Sequence, residues 1–146
     1  MASSILILHG PNLNMLGSRE KDVYGELSLP EINEKIVDFA GEEGYAVRST
    51  QSNHVGELID ALQDAQGWAA GVVFNPGGYT HTSVALRDAV AAIDIPVVEV
   101  HISNIFAREA FRRQSLISPV AAGVISGFGW KSYLLGVAAL KELIEG

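Results

Sequence analysis

The stretch Ile5-Leu6-Ile7-Leu8 decides the fold, because four consecutive apolar residues suit a strand that is buried on both faces. Similar β-rich apolar runs recur at Tyr45–Ser49, Gly71–Phe74, Val97–Val100 and Gly123–Ile125. Segments with helical spacing of apolar residues separate these runs, and strands that alternate with helices pair in parallel through right-handed crossovers. The pattern therefore predicts an α/β fold, a flavodoxin-like three-layer sandwich around a five-stranded parallel sheet whose strands are all buried on both faces.

The helices are indicated by caps as well as by periodicity. Ser28 and Glu31 form a capping-box pattern, Pro30 suits the first turn of a helix, and Gly44 suits its end. Three more helices are predicted from about residue 53 to 62, from 82 to 90 and from about 131 to 144.

Composition narrows the class of protein. A chain of 146 residues, 48% of them hydrophobic, is long enough for one buried core, so we predict a single domain over residues 1–146. The absence of cysteine excludes disulfides, a thiolate nucleophile and thiolate zinc sites. A net charge of -7 argues against broad binding to nucleic acid or anionic membranes.

The N-terminal stretch Met1-Ala2-Ser3-Ser4 has no basic region, and the apolar run after it is too short for a signal peptide or a membrane span. We therefore expect the protein in the cytoplasm.

Polar residues collect after the predicted strands. The first strand is followed by His9-Gly10-Pro11-Asn12-Leu13-Asn14 and a long polar loop, and the third by Asn75-Pro76-Gly77-Gly78-Tyr79-Thr80-His81. Ligands of open parallel sheets bind at the carboxyl ends of the strands, and long loops there are often lids. The ordinary interpretation of the two segments is a surface excursion and a capped turn.

The fourth strand carries the strongest chemical signal. Glu99 and His101 are two residues apart, so both side chains point to one face, where the carboxylate could orient the imidazole and raise its basicity. The next segment concentrates Arg108, Arg112 and Arg113 in an otherwise acidic chain. Each feature alone is more often structural, but together at one sheet edge they favour a functional site.

These stretches resemble the type II 3-dehydroquinate dehydratases (3-dehydroquinases). The resemblance covers nearly the whole chain and rests on His9–Asn14 with Arg19 and Tyr24, on Asn75–His81, and on His101-Ile102-Ser103-Asn104 with Arg108 and Arg112. It implies the reversible trans dehydration of 3-dehydroquinate to 3-dehydroshikimate through an enolate, without metal or organic cofactor. The reaction would serve the shikimate pathway or quinate breakdown.

The resemblance also implies roles for individual residues. Tyr24 would act as the base, as a tyrosinate; because an ordinary tyrosine ionises at a pKa of about 10, it needs nearby cations. Arg19 and Arg108 are the candidates for that field. Asn12, directly or through a water molecule, would donate a hydrogen bond to the enolate oxygen.

The second proton transfer is assigned in the same way. His101, oriented by Glu99, would protonate the departing hydroxyl, and Asn75 would hold either His101 or the substrate. The substrate carboxylate would bind the backbone amides of Ile102 and Ser103, and its hydroxyl groups would bind His81, Asn75 and Arg112.

One predicted site residue would serve a different subunit. Asp88 lies on the third predicted helix, and by resemblance the matching acid reaches into the active site of a neighbouring subunit. The resemblance implies a homo-oligomer, a dodecamer built from trimers. Taken by itself, Asp88 is an exposed helix residue.

Three other functions stay open at this point. A Schiff-base lyase would use a lysine, although Lys21, Lys35, Lys131 and Lys141 fall in a loop or on predicted helices. A metal hydrolase would need clustered ligands, which His9, His54, His81 and His101 do not supply by spacing. A flavodoxin-like binding module would hold a nucleotide or flavin, although no glycine-rich phosphate fingerprint follows the first strand.

Overall fold

A five-stranded parallel sheet lies at the centre of the computed structural model, which describes residues 3–18 and 20–146. Its strands are β1 (Ser3–His9), β2 (Tyr45–Gln51), β3 (Val72–Asn75), β4 (Val97–His101) and β5 (Gly123–Ser126). They lie side by side in the order β2-β1-β3-β4-β5, and every pairing is parallel. The predicted α/β fold is therefore confirmed.

Helices cover both faces of the sheet. They are α1 (Lys21–Tyr24), α2 (Leu29–Glu42), α3 (Val55–Ala65), α4 (Val84–Ala92) and α5 (Lys131–Glu145). The β1 side chains of Ile5 and Ile7 pack in one apolar cluster with α2 and α5, whereas those of Leu6 and Leu8 pack in the other with α3 and α4. Alternate residues of one strand thus serve two cores, and the three-layer arrangement follows.

The boundaries of α2 follow its caps. Glu31 donates its backbone N–H to Ser28 Oγ at 3.3 Å, and Ser28 donates its own to Glu31 Oε1 at 3.2 Å, so the capping box forms. Gly44, just beyond the helix, has a φ of 92°. The single-turn helix α1, in contrast, forms within the segment that the sequence suggested was only a polar loop.

The prediction that every strand is buried on both faces was wrong for β2 and β5. These two strands form the edges of the sheet, and most of their residues are exposed or half-buried, including Val124 at 41% exposure. Strand order decides which strands become edges, and the local apolar pattern does not encode it. Within the described residues, no helix is both long and apolar enough to cross a membrane.

A series of hydrogen-bonded polar side chains passes through the core at the carboxyl end of β1. His9 is fully buried, with Nε2 2.8 Å from Asn33 Oδ1 and Nδ1 2.8 Å from the Tyr133 hydroxyl. Burial lowers the pKa of His9 to about 4, although the hydrogen bond with Asn33 raises it by a smaller amount. Since an amide oxygen only accepts, Nε2 carries the proton of a neutral imidazole and Nδ1 accepts from Tyr133.

This buried histidine makes stability depend on pH. The unfolded chain takes up a proton at His9 near pH 6.5, whereas the folded chain does so only near pH 4, so acid favours unfolding between these values. We expect the free energy of unfolding to fall by about 2 kcal/mol from about pH 7 to about pH 5 through His9, as measured by urea titration. His9→Gln should remove this slope, and His54→Gln, at an exposed position, should keep it. An unchanged slope in His9→Gln would contradict the assignment.

Two helix glycines make a matched test of packing. A Cβ on Gly136 of α5 would lie 2.8 Å from a Val100 methyl and 3.0 Å from a Val73 methyl, whereas a Cβ on Gly41 of α2 meets nothing within 4 Å. We expect Gly136→Ala to lower the free energy of unfolding by about 1–2 kcal/mol, since overpacking exceeds the gain in helix propensity. Gly41→Ala should raise it slightly. Chemical denaturation of both variants checks this, and equal effects would contradict it.

Candidate active site

A cavity of about 220 Å³ opens at the carboxyl edge of the sheet, where the loops after β1, β3 and β4 meet. Most of the residues that the sequence singled out contribute to its lining. They are Asn12, Tyr24, Asn75, His81, His101, Ile102, Ser103, Arg108 and Arg112. The parallel sheet brings these residues together because it aligns the ends of its strands.

Glu99 lies behind the cavity wall and binds His101. Its Oε2 is 2.5 Å from His101 Nε2, and it also accepts from Thr80 Oγ1 at 2.6 Å. Ser115 and Ser118 donate their hydroxyls to the same carboxylate. Burial, the largest single effect, would raise the pKa of the Glu99 carboxyl, but the hydrogen bond and charge of His101, with the hydrogen bonds of Ser118 and Thr80, together outweigh it and lower the pKa. Glu99 therefore stays ionised inside the protein.

The pair leaves one imidazole nitrogen for chemistry. His101 lines the cavity although it is only 4% exposed, and its Nε2 faces Glu99. The hydrogen bonds of the His101 side chain to described residues all involve Nε2. Every fully buried side-chain nitrogen and oxygen of the described residues has a hydrogen-bond partner, so Nδ1 is not fully buried and is the nitrogen accessible from the cavity. The site can thus present an imidazole whose orientation and charge are set by a carboxylate.

Tyr24 and Arg108 meet across the cavity mouth. Arg108 donates Nη1 to the Tyr24 hydroxyl oxygen at 2.9 Å and to Ser103 Oγ at 3.3 Å, and its guanidinium lies 5.4 Å from the centre of the tyrosine ring. A cationic donor on a phenol oxygen stabilises negative charge there. Tyr24 is the last residue of α1, which holds it over the cavity. Arg19, the other predicted cation, lies outside the described residues.

Asn12 has an uncommon backbone conformation. Its φ of 68° is in the left-handed region, which asparagine tolerates better than most residues. The backbone N–H of Asn12 donates to Asn53 Oδ1 at 3.0 Å, and Gln51 donates to the same oxygen at 3.2 Å. The segment after β2 therefore supports the loop that brings Asn12 to the cavity.

The loops after β1 and β3 touch directly. A Cβ on Gly10 would lie 2.5 Å from the Pro76 carbonyl oxygen, so only glycine fits, and the Gly10 N–H donates to the Asn75 carbonyl at 2.7 Å. The Asn75 side chain accepts from the Gly77 N–H at 3.0 Å and donates to the Tyr133 hydroxyl at 3.0 Å. Its carboxamide binds these groups and not His101, which Glu99 holds instead.

The far side of the cavity carries polar groups with defined partners. His81 Nδ1 donates to the Gln114 carbonyl at 2.8 Å, which leaves Nε2 as an acceptor. Arg112 Nε donates to Glu109 at 2.6 Å, and the Arg112 hydrogen bond is the main cause of the lowered pKa of Glu109. Arg113 binds the Arg108 carbonyl and does not line the cavity.

Asp88 is not part of this cavity. It lies at an exposed position of α4, and a single chain does not bring it to the other predicted residues.

Sequence reasoning missed several groups that support the site. Ser118 and Tyr133 carried no signal, and Thr80 was noted only within the Asn75–His81 stretch. The one available clue was Glu99 itself, since a carboxylate inside an apolar strand needs buried donors from elsewhere in the chain.

The alternative chemistries find no support in the geometry. The lysines are absent from the described lining of the cavity, and Lys141 instead binds Glu43 at 2.9 Å. Among residues 3–18 and 20–146, no three His, Asp or Glu side chains lie together in a way that could hold a metal ion.

Comparisons with known proteins identify the family of this chain. The model of the family described as "Dehydroquinase class II" matches residues 3–141. A 3-dehydroquinate dehydratase of a Nostoc species is 54% identical over 143 residues, covering 98% of this chain and 97% of the relative. One from Pelotomaculum thermopropionicum is 55% identical over 139 residues, covering 95% and 96%.

Solved structures show the same relationship. The type II dehydroquinase of Butyrivibrio crossotus superposes with a TM-score of 0.92 at 43% identity, covering 95% of this chain and 97% of that one. That of Propionibacterium acnes gives a TM-score of 0.93 at 35% identity, covering 97% and 98%. On its sequence and its fold alike, this chain belongs to the class II dehydroquinase family.

Proposed function

We propose that this protein converts 3-dehydroquinate into 3-dehydroshikimate and water by a reversible trans elimination through an enolate. One observation carries the proposal: a phenol oxygen bound to a guanidinium and an imidazole bound to a buried carboxylate face the same cavity. Such a pair can remove one proton and deliver another. The relatives named 3-dehydroquinate dehydratase, 54–55% identical over nearly the whole chain, support the choice of substrate.

In the first step, Tyr24 as a tyrosinate takes the proton from the carbon next to the substrate ketone. Arg108 supports this role, because it donates to the phenol oxygen at 2.9 Å and carries a positive charge. We expect Arg19 to add to this positive field, as the family resemblance implies. Tyr24 therefore holds the abstracted proton while the electrons of the C–H bond move towards the ketone.

The enolate formed in this way carries negative charge on oxygen. Asn12 lines the cavity, and its backbone is fixed in the left-handed conformation by the hydrogen bond to Asn53. We assign to its side-chain amide, directly or through a water molecule, the donation of a hydrogen bond to that oxygen. A preorganised donor of this kind stabilises the charge without reorganisation during the reaction.

In the second step, the enolate expels the hydroxyl group, which leaves as water after it takes a proton from His101. Glu99 stabilises the imidazolium that donates this proton, since it lies 2.5 Å from Nε2 while Nδ1 is accessible from the cavity. Tyr24 then releases its proton to solvent, and His101 takes up a proton from solvent, so both groups return to their starting states. Both transfers use groups of the chain, so the proposal requires no cofactor.

For substrate binding, we assign the carboxylate to the backbone amides of Ile102 and Ser103 and the hydroxyl groups to His81, Asn75 and Arg112. All five residues line the cavity. The Nε2 acceptor of His81 and the donors of Arg112 suit hydroxyl groups, which both donate and accept.

We further propose that the enzyme works as a homo-oligomer, a dodecamer built from trimers, in which Asp88 reaches the active site of a neighbouring subunit. The exposed position of Asp88 on α4, outside the cavity of its own chain, supports this. We assign the enzyme to the cytoplasm, in agreement with its lack of cysteine, and to the shikimate pathway or quinate breakdown.

The proton-transfer roles predict large losses of turnover. Tyr24→Phe and His101→Ala should each lower kcat by about 10²–10⁴-fold, because each removes one proton-transfer group. Since His101 is buried, circular dichroism should check that His101→Ala keeps its fold. Ultraviolet absorbance of the conjugated enone product measures the rate. Tyr45→Phe, whose hydroxyl binds Glu145 away from the cavity, and His54→Ala, at an exposed position, should keep normal rates. Near-normal turnover in Tyr24→Phe or His101→Ala would refute its assigned role.

The role of Asp88 across subunits predicts complementation. Asp88→Asn and His101→Ala should each give weakly active protein, since one lacks the acid and the other the proton donor. When the two variants are unfolded together and refolded, mixed oligomers contain sites with His101 from one chain and Asp88 from the other, so activity should rise several-fold. Light scattering checks the assembly. No recovery in mixed oligomers of the expected size would exclude action across the subunit boundary.

A further inference from the structure

The series of hydrogen-bonded polar side chains at the carboxyl end of β1 leads to Asn75, which lines the cavity. The series runs from Asn33 of α2 through His9 of β1 and Tyr133 of α5 to Asn75 of β3, and then to the Gly77 N–H. His9 and Tyr133 are fully buried and neither lines the cavity, whereas Asn75 does. Three separate elements thus act on one carboxamide in the proposed substrate site.

Donors and acceptors along this series allow one arrangement. The Nε2–H of His9 donates to Asn33, so Nδ1 accepts the single hydroxyl hydrogen of Tyr133. The Tyr133 oxygen is then only an acceptor towards Asn75, whose Nδ2 lies 3.0 Å away. At the other end, the Gly77 N–H requires the oxygen of the carboxamide.

If the Asn75 carboxamide were turned by 180°, it would lose both of these hydrogen bonds. Its nitrogen would face the Gly77 N–H, and its oxygen would face a Tyr133 hydroxyl whose hydrogen is already given to His9. Unpaired polar groups in a buried site cost about 1–3 kcal/mol each, so the turned state is strongly disfavoured. The arrangement that remains directs one Nδ2–H of Asn75 to Tyr133 and leaves the other for a ligand.

We propose that Tyr133, held by His9, is a positioning residue that fixes the Asn75 carboxamide so that its free N–H faces the substrate. Asn75 then binds a substrate oxygen that acts as an acceptor, and a group that could only donate would be rejected there. This inference rests on the proposed function and adds to it the direction of one hydrogen bond. Tyr133 itself does not touch the substrate.

Tyr133→Phe tests this inference with the smallest change. The ring, which packs 5.1 Å from the His9 ring at an angle of 58°, is kept, and only the oxygen that holds the carboxamide is lost. We expect a rise in KM of about 10-fold with kcat changed much less, since a contact that binds substrate is weakened while Tyr24 and His101 are intact. Tyr45→Phe is the matched control and should keep both constants.

A double-mutant cycle separates positioning from general loss of structure. If Tyr133 acts through Asn75, Tyr133→Phe should cause no further change in an Asn75→Ala background. A structural defect would instead lower activity equally in both backgrounds, and this additive result would overturn the proposal. His9→Leu should raise KM as Tyr133→Phe does, and His9→Gln, which keeps an acceptor and a donor, should restore it; this pair replaces Tyr133→Phe if that variant does not fold.

A crystal structure of the Tyr133→Phe variant gives a readout that does not depend on turnover. We expect the Asn75 carboxamide to be rotated or displaced from the Gly77 N–H, and an unchanged carboxamide would overturn the proposal. Absence of dehydration by the unaltered protein would refute the proposed function, whereas this crystallographic comparison would still decide whether Tyr133 orients Asn75.

Discussion

The buried carboxylate of Glu99 is the constraint on which the site depends. A charge at the end of a central strand is tolerable only if donors surround it, and here they come from His101 and from hydroxyls on two other segments. Thr80 belongs to the turn after β3, and Ser115 and Ser118 follow the arginine segment. Satisfying one carboxylate therefore fixes the loops that form two walls of the cavity.

Two buried ionisable groups at the same sheet edge are kept in opposite charge states by their surroundings. Glu99 is given donors, so its pKa is lowered and it stays charged, whereas His9 is given one donor and one acceptor and stays neutral. The charged group acts on His101, which exchanges protons in the proposed reaction. The neutral group acts on Asn75 through Tyr133, where a fixed hydrogen-bond direction is needed and a change of charge would disturb it.

The sequence predicted the sheet and the edge at which the candidate residues line one cavity, because both depend on local patterns. Apolar runs such as Ile5–Leu8 identify strands, and parallel pairing brings their ends together. Strand order depends on contacts distant in sequence, so the exposure of β2 and β5 was not predicted. Nor was Tyr133, which looks like an ordinary core residue of α5 until its hydroxyl is seen against Asn75. The place of Asp88 in the proposed assembly is equally beyond a local pattern.

The distribution of charge gives a reason why Tyr24 rather than another group is suited to be the proposed base. Arg112 is bound to the Glu109 carboxylate, so part of its charge is neutralised before a substrate arrives. The described side-chain partners of Arg108 are the hydroxyl oxygens of Tyr24 and Ser103, which carry no charge. The Glu109 carboxylate also interacts with the charge of Arg108, but less strongly than with Arg112. The positive charge of Arg108 is therefore less neutralised than that of Arg112, and it lies against the oxygen that becomes an anion in the proposed reaction. Glu99, the buried negative charge, is turned towards His101, where it favours the imidazolium. A positive charge next to Tyr24 and a negative charge next to His101 thus suit the two residues to their proposed roles as base and acid.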